Sequence, residues 1–91
     1  MALAEAKEIY KKTGSHFFDK ETMRFFSSRI ESGLYKNRCF ITSEKNFDGT
    51  ARFYTVRRFS EDYTRIETIG EFNTIKTIYG AREVVKEIPV D

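Results

Sequence analysis

The first twelve residues place their apolar side chains at the spacing of an α-helix. Leu3, Ala6 and Ile9 lie three residues apart and fall on one helical face, so the pattern predicts a short helix over residues 2–12. A helix of this length is marginal in isolation. We therefore expect the segment 1–14 to dock onto the rest of the chain.

A second and longer helix is predicted over residues 19–32. Asp19 is a good N-cap residue, because its side-chain oxygen accepts from a backbone N–H of the first turn. Met23, Phe26 and Ile30 then continue an apolar stripe at helical spacing, with polar residues on the opposite face.

Beyond this helix the apolar positions change to the two-residue period of β-strands. Residues 38–44, 51–59 and 64–72 are rich in β-branched and aromatic residues and predict three strands. The Asp48-Gly49 pair between the first two strands is a strong signal for a hairpin turn. Consecutive strands joined by short loops indicate an antiparallel meander.

A final helix is predicted over residues 78–88, with Thr77 as its N-cap and Pro89 just after its end. The predicted order is therefore α-α-β-β-β-α. It corresponds to an α+β fold in which a three-stranded antiparallel sheet carries the helices on one face and leaves the other face open. With no internal repeat or linker-like stretch, residues 1–91 are predicted to form a single domain, with the short N-terminal helix docked on an α-β-β-β-α core.

Charge and cysteine content narrow the classes of function. The chain has 16 basic and 14 acidic side chains, and the net charge of +2 is too close to balance to indicate nucleic-acid binding by itself. A single cysteine excludes an internal disulfide and a cysteine-rich zinc site, which favours a reducing compartment. No apolar run approaches the length of a membrane span. We therefore expect a cytoplasmic protein with no membrane association.

Residue types suited to catalysis are sparse. His16 is the only histidine and lies in a predicted loop, and Cys39 lies in a predicted strand, where free cysteines are usually buried. The sequence contains no phosphate-binding loop, dinucleotide-binding glycine motif, zinc-protease motif or calcium-binding loop. It therefore predicts no catalytic, cofactor-binding or metal-binding residues, and we expect a protein without a cofactor that is not an enzyme.

Residues 36–58 nevertheless carry a local excess of positive charge, with six basic against two acidic side chains. The second predicted strand interleaves these cations with aromatic residues, a pattern typical of surfaces that bind single-stranded nucleic acid. The candidate binding surface consists of Arg52, Tyr54, Arg57 and Arg58. In the alternative interpretation these arginines pair with acidic residues on neighbouring strands.

Four segments resemble a family of short proteins from tailed bacteriophages and from prophages of Gram-positive bacteria. The resemblance is carried by Met-Arg-Phe-Phe and Ser-Arg within residues 14–30, Phe-x-Thr-Ser-Glu at 40–44, Tyr-Thr-Val-Arg within 52–59 and Gly-Glu-Phe within 68–75. It implies an accessory protein that acts by binding in the cytoplasm of the host cell. It implies no particular ligand or catalytic residue.

Several polar residues in these motifs exceed what the packing of a core requires. We single out Arg24, Arg29, Thr42 and Glu44. They form either a contact surface or a buried polar network that fixes the second helix on the sheet. An ion pair between Arg29 and Glu44 is one form that such a network would take.

These observations lead to three hypotheses. The leading one is a non-enzymatic phage or prophage accessory protein that binds a host or phage protein through its aromatic residues and open sheet face. Such a protein would act, for example, as an inhibitor of a host factor or defence protein. The alternative is nucleic-acid binding through the arginine- and tyrosine-rich strand. The third is the binding of a small molecule or nucleotide signal at an edge between helix and sheet. A homodimer is compatible with each, since the third strand is an edge that a second copy could cover.

Overall fold

The computed structural model describes residues 1–90, which contain three helices and four strands. The elements are α1 (Leu3–Lys11), α2 (Lys20–Phe25), β1 (Arg29–Ile30), β2 (Cys39–Lys45), β3 (Arg52–Phe59), β4 (Ile66–Ile69) and α3 (Ile78–Glu87). The strands form one antiparallel sheet in the order β1-β2-β3-β4. The predicted α+β class is confirmed. The predicted number of three strands is wrong, because the segment that forms β1 is predicted as helix.

The second helix ends well before the predicted limit of residue 32. Ser27 adopts a left-handed conformation with a φ of 51°. Its N–H donates to the Arg24 carbonyl at 3.0 Å, and the Ser28 N–H donates to the Met23 carbonyl at 2.8 Å. This pair of bonds is the Schellman arrangement that closes helices. The chain then turns, and residues 29–30 pair with β2 instead of continuing the helix.

The hairpin between β2 and β3 forms where the sequence predicts it. Gly49 has a φ of 75°, a conformation that glycine adopts without strain. The Asp48 carboxylate accepts from the Thr50 N–H at 3.0 Å, as aspartate often does in turns. The Asn46 N–H donates to the Ala51 carbonyl at 2.9 Å and closes the loop. This turn sets the register of the two longest strands.

Both faces of the sheet are covered, so the prediction of helices on one face and an open opposite face is wrong. On one face, which we call the α3 face, Cys39, Ile41 and Val56 are fully buried in a cluster with Ala81 and Val85 of α3. The physical reason lies in β2, which is buried along nearly its whole length. The apolar side chains at the start of this strand alternate between the two faces, so both faces need cover.

Aromatic rings form the core of the opposite face, which we call the α1 face. Phe40 and Phe59 are buried with ring centroids 5.0 Å apart, and Ala6 of α1 is buried in the same cluster. Tyr10 lies 6.0 Å from Phe59, and Phe18 lies 5.9 Å from Phe40. Such ring pairs contribute about 0.5–1.5 kcal/mol each beyond their burial. The N-terminal helix therefore docks through this cluster.

The last helix lies close to its predicted bounds. The Thr77 Oγ1 atom accepts from the Gly80 N–H at 3.0 Å, which confirms the predicted N-cap. A β-carbon on Gly80 would lie 3.0 Å from the Ile75 side chain, so glycine permits a close approach in the first turn. Within residues 1–90, every helix is too short or too polar to span a bilayer.

Candidate functional site

A cavity of about 340 Å³ lies on the α1 face, between α2 and strands β2 to β4. Its walls are largely apolar, and the sheet contributes most of its polar groups. The residues that line it are Phe17, Thr22, Met23, Phe26, Ser28, Thr42, Glu44, Arg57, Thr68 and Phe72.

Strand alternation and register bring the sheet residues of the cavity together. Phe40, Thr42 and Glu44 are alternate residues of β2, so their side chains point to the same face. Arg57 of β3 lies directly opposite Phe40, and Thr68 of β4 lies directly opposite Arg57. Because residues paired in register share a face, three strands present polar side chains to one cavity.

Glu44 is a buried carboxylate with an incomplete set of partners. Only 5% of the residue is exposed. Its Oε1 atom accepts from Ser28 Oγ at 3.2 Å and lies 3.8 Å from Arg57 Nη2. Its Oε2 atom is buried and has no hydrogen-bond partner within residues 1–90. Asn73 Oδ1 is also buried without a partner, but Asn73 is not among the residues that line the cavity. A buried polar atom without a partner costs about 1–3 kcal/mol.

Burial shifts the pKa values of both ionisable groups in the cavity. It raises the pKa of the Glu44 carboxyl, because an apolar surrounding disfavours the charged form. The charges of Arg57 and Arg52 and the hydroxyls of Ser28 and Thr42 act on that pKa in the opposite direction and do not cancel the effect. Burial also lowers the pKa of the Arg57 guanidinium, against the attraction of Glu44. Perturbed groups that line a cavity are a frequent mark of functional sites.

The Arg57 guanidinium is held between two aromatic rings. Its Cζ atom lies 5.4 Å from the centroid of Phe17 and 5.2 Å from that of Phe72, within the range of cation–π contacts. Its Nη1 atom donates to Thr68 Oγ1 at 2.8 Å, and its Nε atom donates to Thr42 Oγ1 at 3.4 Å. These contacts fix the cation beside Glu44.

Exposed phenylalanines lie at the edge of the cavity. Phe26 and Phe72 line it and are 54% and 52% exposed. Phe25 is 80% exposed, and its ring centroid lies 4.9 Å from that of Phe26. The Asn73 N–H donates to Thr55 Oγ1 at 2.8 Å and fixes the loop that carries Phe72. We call Phe25, Phe26 and Phe72 the aromatic rim.

The four residues singled out as a nucleic-acid surface do not share one surface. Arg52, Tyr54 and Arg58 lie on the α3 face by strand alternation, and Tyr54 packs against the cluster under α3. Arg57 lies on the α1 face and lines the cavity. The structure therefore divides this set between two opposite faces of the sheet.

The two arginines on the α3 face bind the main chain. Arg52 Nη1 donates to the carbonyls of Ser27 and Ser43 at 2.9 and 3.0 Å. Arg58 Nε donates to the Asn37 carbonyl at 2.9 Å. These bonds join β3 to the neighbouring strand β2 and to the loops that contain Ser27 and Asn37, so the guanidinium groups have a structural role.

The polar set of Arg24, Arg29, Thr42 and Glu44 is also divided. Thr42 and Glu44 line the cavity, whereas Arg24 and Arg29 are exposed. Arg29 lies opposite Ser43 in the sheet, so its side chain belongs to the face opposite that of Glu44. The suggested Arg29–Glu44 ion pair is therefore wrong, and Arg57 takes the place of Arg29.

The remaining reactive residue types lie outside the cavity. His16 is exposed, and its Nδ1 atom lies 2.7 Å from Asp19 Oδ2. Cys39 is fully buried as expected, and burial raises the pKa of its thiol. In the part of the chain that the structure describes, no three histidine, cysteine or acidic side chains come together in a group suited to a metal ion.

Sequence reasoning missed the aromatic rim and did not single out the Glu44–Arg57 pair, although its alternative interpretation paired the arginines of this strand with acidic residues on neighbouring strands. In the sheet Arg57 lies opposite Phe40, whereas Glu44 lies opposite Phe53. The two charges therefore meet only because both side chains are long and extend along the strands. The sequence feature that could have identified the pair is the alternation of side chains between the two faces of a strand. This alternation places Glu44 and Arg57 on one face once the register of the hairpin is known.

A family model described as a family of unknown function (DUF7447) matches residues 2–86. Searches of curated proteins and of solved structures returned no match.

Proposed function

The chain belongs to the DUF7447 family of unknown function, and we propose that it is a non-enzymatic protein that binds a small molecule in the cavity between α2 and the sheet. The observation that carries the proposal is Glu44 Oε2, a buried acceptor without a partner beside a cavity with largely apolar walls. Ligand pockets typically combine such walls with a few polar groups, in volumes of about 300–1,000 Å³. The cavity of about 340 Å³ falls in this range.

The lining favours a ligand with an apolar body and one polar end. Met23, Phe26 and Phe72 offer apolar and aromatic contact, while Glu44 and the hydroxyl of Ser28 lie at the sheet side. Burial of the apolar body supplies affinity at about 25 cal/mol per Å² removed from water. The polar groups supply orientation and selectivity, because a ligand that leaves them unpaired is penalised.

Binding without chemistry fits the ionisable groups at the site. Of the ten lining residues, Glu44 and Arg57 are ionisable, and they carry opposite charges. A general acid or base needs a proton-transfer partner on the substrate and a second group that completes the reaction. Arg57 is a poor candidate for that second group, because guanidinium groups stay protonated in proteins.

A binding screen with a blocked cavity tests the proposal. We would add a panel of small fragments to ¹⁵N-labelled protein and follow amide shifts around the cavity. Met23→Trp places a larger side chain in the lining, and Arg24→Trp makes the same change at the next, exposed position of α2. We expect binding that Met23→Trp removes and Arg24→Trp retains. Binding that survives Met23→Trp, or no binding by any fragment, would contradict the proposal.

The aromatic rim supports protein binding as a second candidate function. Aromatic residues are enriched in the energetic centres of protein interfaces. Three phenylalanines of one region, each more than half exposed, are uncommon on the surface of a monomer. The partner would be a host or phage protein that covers Phe25, Phe26 and Phe72. The triple substitution to serine should abolish such an interaction, and an unaffected complex would contradict it.

Four further features stay proposals. The motif resemblance supports a phage or prophage origin, and the single cysteine supports a reducing cytoplasm as the site of action. Nucleic-acid binding through Arg52, Tyr54, Arg57 and Arg58 has less support, since these side chains lie on two faces. A homodimer could form by pairing of β4, which is an edge of the sheet.

A further inference from the structure

The Glu44 carboxylate has spare acceptor capacity on Oε2, which is buried and accepts no hydrogen bond within residues 1–90. An ionised carboxylate accepts at about four lone-pair positions on its two oxygens. Within residues 1–90, the Ser28 hydroxyl donates to Oε1 at 3.2 Å and the Thr42 hydroxyl also interacts with the carboxyl group, whereas Oε2 has no hydrogen-bond partner. Arg57 Nη2 lies at 3.8 Å, which is beyond a good hydrogen bond. A ligand with two neighbouring N–H groups therefore matches what the carboxylate lacks.

The charge at the site disfavours an anionic ligand end. Glu44 carries a negative charge that Arg57 offsets, and Arg57 already donates to Thr68 and Thr42. Among the residues that the structure describes, Arg57 is the basic side chain that lines the cavity. A phosphate or carboxylate placed beside Glu44 would meet a like charge, and Arg52, the other cation that acts on Glu44, belongs to the α3 face. A neutral donor meets no such repulsion, whereas a cationic donor is attracted by Glu44 and repelled by Arg57.

The walls favour a flat ligand. Phe26 and Phe72 present half-exposed rings at the cavity edge, and Met23 adds a polarisable side chain. Stacking of a planar base on an aromatic side chain contributes about 1–3 kcal/mol. The cavity volume of about 340 Å³ lies at the small end of ligand pockets and suits a ligand of one or two rings.

We propose that the cavity binds a planar nitrogen compound that presents two adjacent N–H donors to Glu44 and stacks on the aromatic rim. This inference rests on the proposed function of the cavity. Two sources carry that donor edge: a guanine-type base, with its ring N–H and its amino group, and an aryl amidine. Selectivity comes from Glu44, because a flat compound without the donor edge leaves the carboxylate unpaired.

Calorimetric titration with four compounds tests the inference. Guanosine and benzamidine carry the paired donors, inosine lacks the amino group, and adenosine has no ring N–H on the corresponding edge. At least one of the first two should bind at least about tenfold more tightly than adenosine, since a good bidentate pair discriminates by about 1–3 kcal/mol. Guanosine should also exceed inosine if the source is a guanine-type base. A preference for benzamidine alone assigns the site to amidines.

Two carboxylate variants test whether Glu44 is the residue that gives the preference for paired donors. Glu44→Gln removes the double acceptor and should weaken the preferred compound at least about tenfold. Glu71→Gln removes the same charge from an exposed position next to Phe72 and should leave the affinity unchanged. Equal affinity for all four compounds, or an unchanged affinity in Glu44→Gln, overturns the inference. If fragments bind at the cavity without this preference, the inference fails and the proposed function stands; if nothing binds there, both fail.

A pH series on the unmodified protein covers the case in which Glu44→Gln does not fold. Binding of the preferred compound requires the ionised carboxylate, so its affinity should fall as the pH is lowered through the raised pKa of Glu44. The charged groups that act on Glu44 are Arg57 and Arg52, both on β3. An affinity for the preferred compound that does not change between neutral pH and the start of acid unfolding would contradict the role of Glu44.

Discussion

Truncation of Phe40 tests whether the sheet is covered on both faces. Its ring is fully buried, with centroids 5.0, 5.9 and 6.5 Å from those of Phe59, Phe18 and Phe17. A buried aromatic side chain removes about 150–250 Å² from water, which at about 25 cal/mol per Å² corresponds to about 4–6 kcal/mol. Since alanine keeps its β-carbon buried, we expect Phe40→Ala to lower the free energy of unfolding by about 3–5 kcal/mol.

Phe47 provides the matched control, because it is fully exposed in the loop between β2 and β3. Phe47→Ala should change the free energy of unfolding by less than about 0.5 kcal/mol. Urea unfolding followed by circular dichroism measures both values, provided that the transition is two-state. If Phe40→Ala is unfolded in water, Phe40→Leu should cost about 1–2 kcal/mol through the lost ring contacts. Equal effects of the two alanine substitutions would refute the reasoning, because Phe40 would then lie on an open face.

Three other properties can be predicted from the structure. The pKa of Glu44 is raised in the folded protein, so the contribution of this carboxyl to stability is complete below its ordinary pKa of 4.5 and is lost as the pH rises through the raised value. Glu44→Gln should therefore flatten the pH profile of the urea midpoint just above pH 4.5. A profile as steep as that of the parent protein would contradict this prediction. Cys39 should resist a thiol reagent in the folded protein and react fully in denaturant, since it is buried and the pKa of its thiol is raised; rapid reaction without denaturant would show that the strand is open. Single-stranded DNA should give no mobility shift at low salt, because Arg52 and Arg58 donate to main-chain carbonyls; a salt-sensitive shift that Arg58→Gln abolishes would support the nucleic-acid hypothesis instead.

The elements that local sequence determines were predicted well. The Asp48-Gly49 turn, the Thr77 N-cap and the bounds of α1 and α3 depend on residues close together in the chain. Their energies come from hydrogen bonds over three or four residues and from side-chain conformational preferences. Such interactions are nearly the same in any tertiary context, so pattern and propensity identify them.

The segment after α2 shows where local reasoning fails. Met23, Phe26 and Ile30 have helical spacing, yet Ile30 lies in β1 and Ser27 ends the helix. The spacing of apolar residues is equally compatible with a helix and with a helix followed by a strand. The choice depends on whether residues 29–30 find a partner strand, and the free edge of β2 supplies one.

The sequence alone determined an α+β chain with a β2–β3 hairpin, a capped last helix and a buried cysteine. Tertiary structure decided that both faces of the sheet are covered, that Arg52 and Arg57 serve opposite faces, and that Glu44 meets Arg57 rather than Arg29. The physical reason is that these features depend on interactions between residues far apart in the chain. A cavity and its buried ion pair depend on long side chains from three strands and a helix, whose relative positions only the packed fold specifies.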